Sequence, residues 1–356
     1  MIRSSPRTIR RLAASVGAAL PSSLGGGVIG LVPAFAWAGA PMAYTEGFGT
    51  KNYPVVTLLW ALLITSLAVI GIVTVLVIAG IFRPRNTPRS DDPRQLPLER
   101  AGRGLIWVYI GTGISAAVLA GATIWTFTTL AAVSGPPDNP AVEINLIGHQ
   151  WWWEVQYSGK DPSDRFTTAN EIHIPTGQPV RFDLSTVDVI HSFWIPRLSG
   201  KTDLIPGQHN ATWIEADQPG AYRGQCAEYC GLQHAHMALR VVAEPADRFE
   251  EWRASQLEPN TPPQSGTAAQ GERDFVAHCG LCHAVRGTAA GGRLGPDLTH
   301  LMSRSTIAAG TVPNTPGYLS AWIADPQHVK PGNLMPILDL SGPQLAAIRD
   351  YLETLK

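Results

Sequence analysis

Four residues whose side chains bind soft metals lie within a stretch of twelve positions. In the string C-A-E-Y-C-G-L-Q-H-A-H-M they are Cys226, Cys230, His234 and Met237. A disulfide between the two cysteines would leave the histidine and the methionine without a role, and a structural zinc site has little use for a thioether. A mononuclear blue-copper site uses one cysteine, whereas two thiolates can bridge two copper ions. The string therefore predicts a binuclear copper centre.

A second metal-binding string, C-G-L-C-H, follows about forty residues later and contains Cys279, Cys282 and His283. C-x-x-C-H is the attachment sequence of c-type haem, in which both thiols bind the porphyrin and the histidine binds the iron. The alternatives are a zinc knuckle and a thioredoxin-like dithiol, and the dithiol would not need the histidine. The two strings together use all four cysteines of the chain. Two redox cofactors on one polypeptide indicate electron transfer.

Two long uncharged segments precede these strings and predict a membrane hairpin over residues 39–135. The helices are expected at about 55–82 and 105–133, and each exceeds the roughly 20 apolar residues that cross a bilayer. The intervening loop, 83–104, carries six arginines against three acidic residues. Basic residues in a short loop mark the cytoplasmic side. Everything after the second helix is therefore expected outside the cytoplasm.

The first residues of the chain are typical of a secretory signal. Several arginines precede an apolar stretch that ends in Ala36-Trp37-Ala38, which has the form of a signal-peptidase site. We therefore predict a signal peptide over residues 1–38. An additional transmembrane helix is the alternative, and Pro21 and Pro33 disfavour it. The formal net charge of −1 gives no reason to expect a nucleic-acid partner.

Residues 136–246 predict an all-β domain. Val142, Ile144 and Leu146 alternate with polar residues as in a half-buried strand, and similar short runs recur between proline- and glycine-rich turns. Such spacing favours an antiparallel sandwich or barrel. Residues 247–267 are expected to form a linker, because the string L-E-P-N-T-P-P-Q-S-G-T-A-A-Q, which begins at Leu257, has little apolar surface to bury.

Residues 268–356 predict an all-α domain. Ser341 and Gln344 have the spacing of a capping box at the start of a final helix. An earlier short helix is expected to pack on it, with Phe275 facing Tyr351 across a close contact at Gly271.

The copper string resembles the copper A loop of cytochrome c oxidase subunit II. D-V-I-H-S-F resembles the loop that supplies that family's other histidine, and G-H-Q-W-W-W resembles its aromatic patch. The resemblance implies a cupredoxin-like (Greek-key) domain with these copper ligands: His191, Cys226, Cys230, His234, Met237 and the backbone carbonyl of Glu228. It also implies that the Glu228 carboxylate reaches a magnesium ion shared with subunit I. Electrons from cytochrome c would enter at Trp151.

Three consecutive tryptophans in a strand face alternate sides of the sheet, so at least one of them is expected to be exposed. His236 matches no ligand position of the family and is expected at the surface or beside the ligands.

The residues that follow the haem string resemble loops of class I cytochromes c. G-P-D-L at 295–298 resembles the loop that supports the iron-binding histidine, and N-L-M-P at 333–336 resembles the distal-ligand loop. The axial ligands are therefore expected to be His283 and Met335, with Met302 in a core role instead. A copper A subunit with a fused cytochrome c domain resembles subunit II of a caa-type haem-copper oxidase.

The resemblance implies the electron-input subunit of a proton-translocating cytochrome-c oxidase. Electrons would pass from haem c through copper A to subunit I, where oxygen is reduced to water. Expected partners are subunits I and III, cytochrome c or another donor, and the lipid bilayer of a bacterial inner membrane that the chain spans more than once. A copper A subunit of a nitric oxide reductase and a non-catalytic copper-binding protein are the alternatives. Residues 102–107 lack the carboxylate that many family members place before the second membrane helix.

Overall fold

A computed structural model describes residues 41–84, 104–135 and 139–356. The predicted signal peptide and most of the predicted cytoplasmic loop lie outside these residues. Helices α1 (Tyr53–Phe82) and α2 (Gly104–Val133) contain 30 residues each. At about 1.5 Å per residue, either helix exceeds the roughly 30 Å of a bilayer core. Both are strongly apolar, and their apolar side chains are largely exposed. The predicted pair of apolar helices is therefore confirmed.

The next domain is a sandwich of short strands. Its strands are β1 (Val142–His149), β2 (Trp152–Tyr157), β3 (Phe166–Ala169), β4 (Glu171–Pro175), β5 (Val180–Thr186), β6 (His191–Phe193), β7 (Thr202–Leu204), β8 (Asn210–Ile214), β9 (Gly220–Gln225) and β10 (Ala238–Glu244). One sheet has the order β3-β2-β1-β5-β8, another the order β4-β10-β9, and β6 pairs with β7. The predicted all-β, cupredoxin-like fold is confirmed.

The alternation of apolar residues explains why these segments form strands with one buried face. In β1, Ile144 and Leu146 are fully buried, and the residues between them face outward. The parallel register of β1 and β5 sets Ile144 beside Phe182 and Leu146 beside Leu184. Side chains with this spacing fill the space between the two sheets.

The predicted linker at 247–267 is wrong in its first half, where Ala246–Leu257 forms helix α3. Phe249 is buried against the sandwich core, and Trp252 stacks on His173 with ring centroids 4.1 Å apart. Residues three apart lie on the same side of a helix, so these two rings form its apolar face. The proline-rich sequence that suggested a linker occupies only the residues after the helix.

The C-terminal domain is helical, as predicted. It contains α4 (Gly266–His278), α5 (Pro316–Ala324), α6 (Pro326–Val329), α7 (Gly342–Leu352) and a small hairpin of β11 (Thr306–Ile307) and β12 (Val312–Pro313). The capping box at Ser341 and Gln344 is present. Helices α4 and α7 cross at Gly271, and the rings of Phe275 and Tyr351 lie 5.5 Å apart. The expected packing of the first helix on the last is confirmed.

Candidate metal centres

The two cysteines of the copper string lie side by side in a buried cluster. Their Sγ atoms are 3.8 Å apart, far beyond the roughly 2.05 Å of a disulfide bond. His191 Nδ1 lies 3.8 Å from Cys226 Sγ, and His234 Nδ1 lies 3.6 Å from Cys230 Sγ. Each thiol therefore has an imidazole nitrogen beside it, although the two histidines come from different loops.

Two weaker donors complete the cluster. The Sδ atom of Met237 lies 3.8 Å from Cys230 Sγ, and the main-chain oxygen of Glu228 lies 3.2 Å from Cys226 Sγ. The structure thus brings together all six groups that were predicted to bind copper. Two thiolates, two imidazoles and a thioether form a donor set that favours copper, so the chemistry of the cluster fits a copper pair.

The strands determine how the copper string returns on itself. Cys226 follows β9 and Met237 precedes β10, and the Cys226 amide donates to the Met237 carbonyl at 2.9 Å. Strands β9 and β10 pair antiparallel, so the string is a loop between neighbouring strands. His191 begins β6 and is fully buried beside this loop.

Asp188 orients His191 and was not identified as a site residue from the sequence. Its Oδ1 atom lies 2.8 Å from His191 Nε2, and its Oδ2 atom accepts the Gln150 amide at 2.7 Å. A carboxylate hydrogen-bonded to the ring nitrogen that does not bind the metal fixes the ring orientation and the tautomer of a metal-binding histidine. His191 Nδ1 is thereby directed at Cys226. Only the spacing of three residues between Asp188 and His191 could have suggested this pairing.

The two thiols differ in how readily they ionise. A hydrogen bond from Cys230 lowers the pKa of Cys226, although burial opposes this shift. The pKa of Cys230 is raised by the neighbouring Cys226 and by burial. Metal binding requires both thiols in the deprotonated form, which the positive charge of the metal favours.

Apart from the copper cluster, a cavity of about 350 Å³ opens in the C-terminal domain. Its wall includes Cys279, Cys282, His283 and Met335. Met302 instead packs against the core of the domain. The two thiols and the two predicted axial residues thus surround one apolar cavity, and this arrangement fits a covalently attached haem.

His283 is held so that one nitrogen faces the cavity. Its Nδ1 atom lies 2.8 Å from the Pro296 carbonyl oxygen, a geometry that makes Nδ1 the donor and leaves Nε2 free to bind iron. Burial lowers the pKa of His283, with a smaller opposing effect from the Pro296 bond. The imidazole is therefore kept in the neutral form that binds metal. A side chain at Gly295 would touch the imidazole, since a Cβ there would lie 2.6 Å from Cε1.

Trp151 lies between the two centres. Its Nε1 donates to the Cys230 carbonyl oxygen at 3.0 Å, and the residue is part of the wall of the cavity that contains His283. The expectation that one of the three tryptophans is exposed is wrong: Trp151 is 8% exposed, Trp152 is half-buried and stacks on His149, and Trp153 is fully buried.

Two residues of the copper string point outward. The Glu228 carboxylate is exposed and lies 3.5 Å from Lys201 Nζ. His236 is exposed and bonds Gln233 through Nδ1 at 2.7 Å, so it lies at the surface as expected. The Glu228 carboxylate is directed away from the sulfurs, and its main-chain oxygen is directed towards them.

Comparison with known proteins identifies relatives of both domains. The family described as "Cytochrome C oxidase subunit II, periplasmic domain" matches residues 160–244, and the family "Cytochrome c" matches residues 268–356. The chain is 37% identical over 305 residues to "Cytochrome c oxidase subunit 2" of Alkalihalophilus pseudofirmus, covering 83% of this chain and 86% of that protein. It is 33% identical over 291 residues to the protein of the same name from Bacillus sp. strain PS3, covering 77% and 80%. A crystal structure of the periplasmic domain of subunit II from Bradyrhizobium japonicum is 28% identical, with a TM-score of 0.32, and covers 34% of this chain and 96% of that one.

Proposed function

Because the chain belongs to the cytochrome c oxidase subunit II family and ends in a fused cytochrome c domain, we propose that it is the electron-input subunit of a terminal oxidase. In this proposal electrons pass from its haem c through a binuclear copper A centre to subunit I. Oxygen is reduced to water there, and the reaction is coupled to proton translocation.

The position of Trp151 carries this proposal. Its indole nitrogen donates to the Cys230 carbonyl in the copper loop, and the same residue lines the haem cavity. One buried residue thus touches both proposed cofactor sites. We infer that electrons from the haem domain enter the copper domain at this residue.

The chain's own residues would hold the cofactors as follows. The copper ions would bind the six groups around Cys226 and Cys230, and haem c would bind covalently to Cys279 and Cys282 with His283 and Met335 as axial ligands. When bound, these groups supply one-electron carriers, and a His/Met pair raises the potential of haem iron. Asp188 keeps His191 directed at Cys226, and the Pro296 carbonyl keeps Nε2 of His283 free.

We further propose where the subunit lies in the membrane, how its chain divides into domains and which molecules it contacts. Helices α1 and α2 cross a bacterial inner membrane, and both redox domains lie on its periplasmic side. The chain divides into a signal peptide (1–38), a hairpin (39–135), a copper domain that α3 extends to residue 257, a short linker and a haem domain (268–356). Subunits I and III are its partners in the membrane, and cytochrome c or another donor reduces its haem. The outward carboxylate of Glu228 suits a magnesium ion at the contact with subunit I.

Optical spectra of the purified holoprotein test the assignment of both centres. We expect c-type haem bands together with near-infrared absorption from a mixed-valence copper pair. Cys226→Ser should remove the near-infrared band and leave the haem bands. Cys279→Ser should disrupt covalent haem attachment and leave the near-infrared band. The absence of near-infrared absorption from copper-loaded wild-type protein would overturn the proposal.

A further inference from the structure

Lys330 is a buried lysine that joins the two redox domains. It follows α6 in the haem domain and is 3% exposed. Its Nζ atom donates to the main-chain oxygen of Trp151 at 2.7 Å and to that of Ala308 at 3.2 Å. Burial lowers the pKa of Lys330 to about 7. A lysine is seldom buried unless its ammonium group is paired, so its place here depends on those two carbonyls.

The residues that follow Lys330 also contact the copper loop. Gln233, next to His234, donates its side-chain amide to the Pro331 carbonyl at 2.7 Å. Gly332 lies against the side chain of Leu232, so close that a Cβ at this glycine would be 2.8 Å from Leu232 Cδ2. Three consecutive residues of the haem domain therefore face either Trp151 or the loop that contains the copper-binding thiols.

The same segment is connected to the haem cavity. The side-chain amide of Asn333 donates to the Lys330 carbonyl at 2.7 Å, and its Oδ1 accepts the Met335 amide at 2.8 Å. The position of Lys330 is thus transmitted through Asn333 to the backbone of Met335. One six-residue stretch both contacts the copper domain and carries the proposed axial methionine.

A second contact supports the same docked arrangement. The Ala309 carbonyl accepts the amide of Ala238 at 3.0 Å, immediately after Met237. Ala308 and Ala309 both have left-handed backbones, with φ of 53° and 57°. Alanine is disfavoured there and adopts this conformation where surrounding contacts impose it. Ala308 also supplies the second acceptor for Lys330.

We propose that Lys330 is a positioning residue that holds the haem cavity against Trp151, so that electron transfer between the two centres occurs within one fixed contact. This inference rests on the proposed electron-transfer function.

Lys330→Met tests the proposal, because methionine retains much of the apolar length and removes the donor. Losing the two hydrogen bonds of this buried amino group should weaken docking about tenfold. In the purified full-length holoprotein, we expect electron transfer from haem to copper, measured after light-triggered reduction of the haem, to slow about tenfold. Lys160→Met, which removes an exposed lysine of the copper domain, should leave the rate unchanged.

The spectra separate this proposal from the function on which it rests. With both the haem and the near-infrared bands intact, an unchanged rate in Lys330→Met would overturn the role of Lys330 and leave the proposed function standing. Absence of the near-infrared band from the wild-type protein would instead overturn the proposed function. If Lys330→Met fails to assemble haem, Gln233→Ala weakens the same contact from the copper domain. The same slowing is then expected, and wild-type transfer in that variant would refute the docking contact.

Discussion

Adding one methyl group beside His283 should disturb the haem site measurably. Gly295 has no space for a side chain, since a Cβ would lie 2.6 Å from Cε1 and 3.0 Å from Nδ1 of the imidazole. Ordinary contacts begin at 3.4 Å, so Gly295→Ala requires the ring or the loop to move by about 0.8 Å. The ring cannot move freely, because it is bonded to the Pro296 carbonyl and is partly buried.

The expected cost follows from this clash. Overpacking in a closely packed interior costs about 1–3 kcal/mol, and stretching the bond to Pro296 adds about 0.5–1.5 kcal/mol. We therefore expect Gly295→Ala to lower the free energy of unfolding of the haem domain by about 1.5–4.5 kcal/mol. The axial bond between His283 and iron should also weaken and shift the haem bands.

Denaturant unfolding followed at the haem absorption measures this effect in the full-length holoprotein. Gly291→Ala is the matched control, because a Cβ at Gly291 meets nothing within 4 Å. If Gly295→Ala unfolded at the same denaturant concentration as Gly291→Ala and kept the wild-type haem spectrum, Gly295 would not fix the position of His283.

Other substitutions test the packing within the haem domain and within the copper domain. Gly271→Ala would place a Cβ 1.8 Å from a main-chain oxygen of α7, so calorimetry should show a large drop, of several degrees or more, in the melting temperature of the haem domain; wild-type melting would contradict the close crossing. Tyr157→Phe removes a hydroxyl bonded to the amide and carbonyl of His173, both at 2.8 Å, and should lower the free energy of unfolding of the copper domain by about 1–3 kcal/mol in urea titrations. Burial would raise the pKa of Glu171, but bonds from His173 and Ser305 outweigh it and hold the pKa below 4.5. The stabilisation from Glu171 should therefore be complete above pH 4.5 and be lost as the pH falls through the lowered pKa. Ser305→Ala should reduce this loss of stability in acid, measured as the melting temperature across that pH range. An unchanged pH profile in Ser305→Ala would contradict a stabilising bond between Ser305 and Glu171.

Much of both sites could be predicted because their donor atoms are concentrated in short strings. Cys226 to Met237 supplies most of the copper cluster in one loop, and that loop closes because its flanking strands pair. His191 lies far away in sequence, and only the resemblance to the family pointed to it. The helix crossing at Gly271 was predictable because a glycine, an aromatic residue and a capping box together restrict how two helices meet.

The contacts between domains could not be predicted in the same way. Trp151 is one of three consecutive tryptophans, and nothing in that run shows that it bonds the copper loop and also lines the haem cavity. Lys330 has the sequence context of an ordinary surface lysine, and its burial depends on two carbonyls that only folding brings together. Helix α3 was missed because the proline-rich sequence after it dominated the composition of the region.

Electron transfer after a light pulse that reduces only the haem shows whether electrons reach the copper pair by an internal route. The haem band and the near-infrared copper band should change together, with one rate constant that does not depend on protein concentration. Trp151→Phe, which removes the bond to Cys230, should slow both changes and leave both static spectra intact. A transfer rate that rises with protein concentration, or copper that stays oxidised while the haem stays reduced, would contradict an internal route through Trp151.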